Sequence, residues 1–407
     1  MVIKQRPAAP PSSRALLATG VTPRRLAEAG GPLVLESAEG AWVTDVSGKR
    51  YLDAASGYFT ASVGYGRSSV AAAVAAQLER LSYAPLDWRA HGPALELAEH
   101  LLALAPGMER VFFCSGGSEA VDTALKLARL TQRREGGART EILYRPGSYH
   151  GATLGATSVT GLDELRAPYG PLLGGVRAVE RPEDPAALGQ AAAFIAEPVP
   201  AANRVRVPKP GFWPAVRRAT DTSGALWIAD EVLTGIGRTG RWLALEHWEC
   251  RADLVLLGKG LSGGYAPLAA VLVGPRVAAA LEDEPFDHGY TFGGHPASCA
   301  AALEVLRIIE AEGLIEASAR QGASLLRGLK ALAARLPGAG PVEGLGLLAS
   351  VGLRLDGAAR QRLERALLRR GLIAYVSEEG VTLAPPLNFS DAELASALER
   401  LEEGLRE

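Results

Sequence analysis

Between about residue 110 and residue 275 the chain alternates short, unbroken apolar runs with segments of helical or turn character. The runs fall at 111–114, 141–144, 193–196, 225–229, 254–257 and 268–273. A short apolar run bounded by turn residues reads as a buried strand, and strands alternating with helices imply a largely parallel sheet covered on both faces. Outside this region the pattern changes. Residues 33–53 (LVLESAEGAWVTDVSGKRYLD) read as short strands around a Ser-Gly turn, a hairpin signature. Residues 70–81 and 94–105 carry apolar positions at helical spacing. From about 298 onward CAAALEVLRIIEAEGL and ASLLRGLKALAARL continue that spacing, broken by a strand at 347–353 and closed by a helix after Asp391. The expectation is an α/β protein of two lobes: a large domain at 56–305, and a smaller α+β domain from both chain ends, 21–55 and 306–407, behind a flexible arm at 1–20.

Composition narrows the class. A chain of 407 residues with 48 % hydrophobic and 22 % charged residues is ordinary globular material, too long for one core. A net charge of −2 argues against nucleic acid or a membrane surface as a main partner. The three cysteines, Cys114, Cys250 and Cys299, are odd in number and widely spaced, which predicts a reducing, cytoplasmic setting rather than a disulfide framework. MVIKQRPAAPPSSRA lacks the apolar core of a signal peptide, and no apolar stretch is long enough to span a membrane. No zinc site is expected either, because His247 and Cys250 have no second pair.

Candidate chemistry sits where the apolar runs stop. VFFC is followed by Ser115-Gly116-Gly117-Ser118-Glu119 and then by helical spacing, so free backbone N–H groups at a helix start form an anion site suited to phosphate. A plain N-cap serine is the structural alternative. ALWIA runs into Asp230-Glu231, and a carboxylate at the end of a buried strand is costly unless it is paired. A protonated ring nitrogen is one such partner; a helix cap or a salt bridge is another. AFIA runs into Glu197, and Tyr149-His150-Gly151 follows the 141–144 run. The run 254–257 ends at Gly258 and Lys259, where open α/β sheets place ligands, although a lone loop lysine is ordinarily solvated. One cofactor uses all these parts together. Pyridoxal phosphate requires a phosphate cradle, an aromatic face, an acid opposite the pyridine nitrogen and a lysine that holds it as a Schiff base.

The segments YLDAASG, FFCSGGSEAVDTALKLAR, SYHG, AEPV, ADEVLTGIGRTG, LGKGLSGGYAPLAA, HGYTFGGHPASCAAAL and LAPPL occur in one order. On them the chain, from about Leu33 to its C-terminus, resembles a class III, or ω-type, aminotransferase of the fold type I pyridoxal phosphate enzymes. The resemblance implies that Gly117 and Ser118 hold the phosphate, Tyr149 stacks on the ring, Val232 covers its other face, and Asp230 meets the pyridine nitrogen. It makes Lys259 the Schiff-base lysine and proton carrier, and Thr291 a phosphate ligand of the neighbouring subunit, hence a homodimer. Glu197 matches a carboxylate that gates the substrate pocket, and Tyr58 and Trp88 fall where substrate-facing aromatics stand, with core packing as their alternative.

Two positions depart from the family. Thr382 stands where many members carry an arginine that clamps the substrate carboxylate, a bidentate task a hydroxyl cannot perform. Either another arginine supplies the clamp or the donor is not a standard α-amino acid. His295 replaces an asparagine near the subunit contact. The implied activity is ping-pong transfer of an amino group from an amine, ω-amino or amino acid donor to a keto acid or aldehyde. A racemase, aminomutase or decarboxylase would use the same site, and a catalytically silent homologue would keep the fold alone. Loose dinucleotide patterns start at Gly235, Gly258 and Gly344, but the first is separated from its strand, the third opens no helix, and the second is better read through Lys259, which leaves a nicotinamide dehydrogenase a poor second.

Overall fold

The computed structural model describes residues 16–28 and 30–407; the expected arm at 1–20 lies outside the described residues as far as residue 15. All six apolar runs become strands of one seven-stranded sheet. Its order is Arg110–Cys114, Ala269–Val273, Leu254–Leu257, Leu226–Asp230, Ala193–Ala196, Ile142–Tyr144 and Val176–Ala178. Ala269–Val273 runs antiparallel to both neighbours, and the remaining pairs are parallel. The edge strand Val176–Ala178 has no counterpart in the apolar pattern, because it is largely uncovered and needs no continuous apolar run.

Alternation along the strands builds two cores. Phe194, Trp227, Val255 and Leu257 face one side, whereas Ile195, Ile228, Leu254 and Leu256 face the other. On the second side the helix Gly117–Arg134 buries Ala120, Val121, Ala124, Leu125 and Ala128. On the first, Trp213 of the helix Phe212–Ser223 stacks on Trp227 at a centroid distance of 5.2 Å. Its indole N–H donates to the Pro198 carbonyl at 3.0 Å, which ties the helix to the chain leaving the strand Ala193–Ala196.

Two smaller sheets flank this layer. Leu35–Glu39, Trp42–Asp45 and Arg50–Asp53 pair antiparallel, and the expected Ser-Gly turn is present, with Gly48 at φ 85°. Leu372–Ile373 joins this sheet in parallel beside Arg50–Asp53, so distant parts of the chain share one ladder. The last sheet is antiparallel, ordered Val342–Gly344, Ala349–Gly352, Gly380–Leu383 and Tyr375–Ser377. Only its second strand lay in the pattern. The others are three or four residues long and bounded by glycine or glutamate, too short to display a period.

The helices Ser68–Arg80, Gly92–Leu104, Pro296–Ala311, Leu314–Ala333 and Asp391–Leu405 fall where helical spacing places them. His295 caps one of them, its Nδ1 accepting from the Ala297 N–H at 3.3 Å; an imidazole here does the capping work of an asparagine. Among the described residues no helix is long and apolar enough to cross a membrane.

Trp213 has no exposed surface and carries a stacking contact and a hydrogen bond at once. Trp213→Ala is expected to cost about 3–5 kcal/mol, read by denaturant unfolding of the purified protein. A loss below about 1 kcal/mol would show that this layer does not anchor the sheet.

Candidate active site

Parallel strands end on the same edge of a sheet, so the segments that leave them converge. Here those segments, with parts of the smaller sheets, line a single cleft of about 1230 Å³. Asp230, Glu197 and Lys259 reach it from three strand ends, Tyr149 and His150 from a fourth, and Gly117 and Ser118 from the start of the helix Gly117–Arg134. Seven positions singled out in the sequence are thus brought together, and Val232 and Tyr58 line the same cleft.

Asp230 is 5 % exposed and is fully engaged. Its Oδ2 lies 2.7 Å from His150 Nδ1, and its Oδ1 accepts the Val232 N–H at 3.1 Å. Its sequence neighbour Glu231 turns to the opposite side of the chain. There it accepts the N–H groups of Leu245 at 2.9 Å and Ala244 at 3.0 Å, together with the Thr234 hydroxyl. Of two consecutive carboxylates, one serves the cleft and the other fastens a turn. Sequence reasoning missed His150 as the partner of Asp230; its one signal was an imidazole in the segment that follows the strand Ile142–Tyr144, six residues beyond its end. Its Nε2 is buried and unpartnered.

The helix Gly117–Arg134 begins with Gly116 at its N-cap, and no side chain caps it. Ser118 is not the cap: it lies within the first turn, and its Oγ accepts the Ala152 N–H at 3.0 Å. The positive end of an 18-residue helix therefore opens towards the cleft. Two glycines make the room. A Cβ on Gly117 would come within 2.9 Å of Val232 Cγ1, and one on Gly151, at φ +129°, within 2.3 Å of Ser118 Oγ.

Lys259 adopts φ 43°, a left-handed conformation that costs a lysine energy and aims its side chain off the strand axis. Phe59, at φ 63°, is strained in the same way, and Lys259 Nζ lies 5.6 Å from its ring centroid. Burial pulls the lysine below its ordinary pKa and Arg238 adds to this, while the carboxylates of Asp230 and Glu197 oppose it. Glu197 accepts the Tyr149 N–H at 2.9 Å, and burial pushes its carboxyl up to about 7, with His150 pulling the other way.

Two positions stand apart. Trp88 is 88 % exposed and does not line the cleft of its own chain. Thr291 is also exposed, and its carbonyl accepts the Tyr83 hydroxyl at 2.8 Å. Tyr83 in turn meets Phe292 edge-to-face at 6.2 Å, so Thr291 sits on an uncovered aromatic surface.

The donor set fits pyridoxal phosphate: an uncapped helix start with a glycine cradle for the phosphate, a buried carboxylate for the ring nitrogen and a lysine in reach. The sequence profile described as aminotransferase class-III matches residues 26–405. The chain belongs to the class-III aminotransferase family. The taurine–pyruvate aminotransferase of Bilophila wadsworthia is 34 % identical over 386 residues, covering 86 % of this chain and 84 % of its own. The (S)-enantioselective ω-transaminase of Thermomicrobium roseum superposes with a TM-score of 0.91 at 36 % identity, over 97 % of each chain. An amine transaminase from an uncultivated Pseudomonas species, in its PLP-bound form, gives 0.89 at 36 % identity, over 96 % of this chain and 97 % of that one.

The protein is therefore a pyridoxal-phosphate-dependent aminotransferase, with an amine donor and a carbonyl acceptor as substrates. The glycine patterns agree. Those from Gly235 and Gly258 lie in turns and a four-residue 3-10 helix, and the one from Gly344 closes a strand; none opens an α-helix.

The aminotransferase with Gly151→Ala should lose pyridoxal phosphate affinity by roughly tenfold or more in a fluorescence titration, because both its φ and its Cβ are excluded. Unchanged affinity would mean that Ser118 is not part of the cradle. Glu197 has a folded-state pKa raised to about 7, so its stabilising contribution is present below its unfolded value and is lost as pH rises to about 7. Glu197→Gln should match the wild-type melting temperature at pH 4 and exceed it at pH 8; a pH-independent difference would show that the carboxyl titrates normally.

Proposed function

We propose that this aminotransferase takes amino groups from amine or ω-amino donors, passes them to a keto acid or aldehyde, and uses Lys259 and Asp230 as its catalytic pair. The observation that carries this reading is the convergence of Lys259, Asp230 and the open helix start at Gly117 on one cleft. When bound, pyridoxal phosphate supplies a carbonyl that captures amines and a ring that accepts the electron pair left at Cα. The chain's residues do the rest. Backbone N–H groups at Gly117 and Ser118 hold the phosphate, and Tyr149 and Val232 flank the ring. Lys259, its amine kept below the ordinary lysine range by burial, holds the cofactor carbonyl and moves the proton at the substrate Cα. Asp230, fixed by His150 and the Val232 N–H, keeps the ring nitrogen protonated. Glu197 and Tyr58 face the substrate.

Further parts of the reading rest on the surface and the sheets. A homodimer in which Thr291 completes the neighbour's phosphate site, and Trp88 its substrate pocket, is supported by the uncovered surface that carries Tyr83, Trp88 and Phe292. A large domain at 56–305, with a small one from 21–55 and 306–407, is supported by the pairing of Leu372–Ile373 with the strand Arg50–Asp53. A cytoplasmic setting is supported by three cysteines that are all free.

Lys259→Ala should bind pyridoxal phosphate without the lysine-dependent absorbance band and lose turnover by roughly 10²–10⁴-fold. Asp230→Asn should keep the band and lose a comparable factor in turnover. Stoichiometric exchange of amine for carbonyl is the expected product balance; racemised or decarboxylated product without a keto acid would overturn the transfer reading.

A further inference from the structure

The strand that carries Thr382 leaves open how this cleft holds a substrate carboxylate. Thr382 is buried in the strand Gly380–Leu383, opposite Ser350 and Tyr375, and it does not line the cleft. Other nearby arginines do not line the cleft. Arg238 is buried, and its guanidinium donates to the carbonyls of Leu347 and Pro385. Arg145 is stacked over the Phe212 ring at 4.8 Å and is not a lining residue. Arg204 and Arg206 pair with Glu343 and Glu379.

Arg360 is different. It is the one guanidinium among the described residues lining the cleft, and Lys259 is the one lysine there. It belongs to the helix Gly357–Arg369, whose start is fixed by Asp356 Oδ1 accepting the Ala359 N–H at 2.7 Å. That helix packs against the strand Tyr375–Ser377. The Arg360 side chain is partly exposed, and among the described residues it makes a single polar contact, to Glu364 at 3.3 Å, one turn along the same helix. A guanidinium has five N–H donors in a planar fork, and a one-point contact at this distance leaves most of them free.

The wall between Lys259 and Arg360 is aromatic. Lys259 Nζ lies 5.6 Å from the Phe59 ring, and Phe59 meets Tyr375 edge-to-face at 5.5 Å. Tyr58 lines the same side. Carboxylates of Glu164, Glu364, Glu378 and Glu379 also line the cleft, Glu379 paired with Arg206, so on this side the Arg360 guanidinium is the lining group suited to an anion.

We propose that Arg360 is a specificity-determining residue that holds the remote carboxylate of a substrate whose carbon chain passes Phe59 and Tyr375, in place of the clamp that Thr382 cannot make. The assignment rests on the aminotransferase cleft proposed above and adds a residue and a substrate shape to it. Glu364 occupies the guanidinium in the free enzyme and gives way to the fork-on-carboxylate pair when such a substrate enters.

The test uses holoenzyme and two readouts. Calorimetric titration with hexanoate, against hexan-1-ol as the uncharged control, reads the guanidinium without any chemistry. Arg360→Gln should weaken hexanoate by roughly tenfold to a hundredfold and leave hexan-1-ol unchanged. Arg360→Lys should recover part of the loss, and Glu364→Gln should tighten hexanoate. In half-reactions, Arg360→Gln should lower kcat/KM for 6-aminohexanoate through KM and spare hexylamine. Hexanoate binding that is absent in the wild type, or equal in wild type and Arg360→Gln, overturns the assignment; so does an equal loss for the two amines, which leaves amino transfer itself standing. If hexanoate binding depends on Arg360 but neither amine is consumed, the assignment survives and the donor reading falls.

Discussion

A carboxylate at the end of a completely buried strand must be compensated, and the placement of Asp230 organises everything around it. Its two oxygens are taken by His150 Nδ1 and the Val232 N–H, so its position is fixed before any ligand arrives. Preorganisation of this kind means that a cationic partner entering the cleft would meet a group that need not move. The same carboxylate works against the loss of charge on Lys259, so burial must outweigh it to bring the amine below its usual range.

Space is the second constraint. A planar, phosphorylated ring needs backbone to approach closely, and the glycines at 117 and 151 mark two such places, where a methyl group would strike Val232 or Ser118. Strain gathers nearby. Lys259 and Phe59 both hold left-handed backbone conformations and both line the cleft. Such conformations persist only where surrounding packing over-determines them, and Phe59 is held in the core on one face of the central sheet.

The outer cleft is set by a different part of the chain. The helix Gly357–Arg369 and the short strands that follow it bring Arg360, Glu364 and Tyr375 over the strand ends of the central sheet. The central sheet therefore supplies the chemistry, and the flanking elements supply what can reach it. Trp88 and Thr291 lie outside this cleft, Trp88 largely exposed and Thr291 beside the edge-to-face pair of Tyr83 and Phe292.

Much of this was legible in the order of residues alone. Six apolar runs specified six strands of the central sheet, because a strand buried on both faces must be apolar at every position. The residues just beyond those runs specified the candidate site, since parallel strands deliver their ends to one edge. Short strands such as Tyr375–Ser377 and Val176–Ala178 stayed hidden, because three residues carry no period and their pairing partners are distant in sequence. What only the tertiary structure decided was direction and partnership. Asp230 faces the cleft and Glu231 faces away, His150 holds Asp230, and Arg360 lines the cleft whereas Thr382 is buried away from it. These outcomes depend on which side of the backbone a side chain leaves and on what other elements place opposite it. Local sequence constrains the first weakly and does not contain the second.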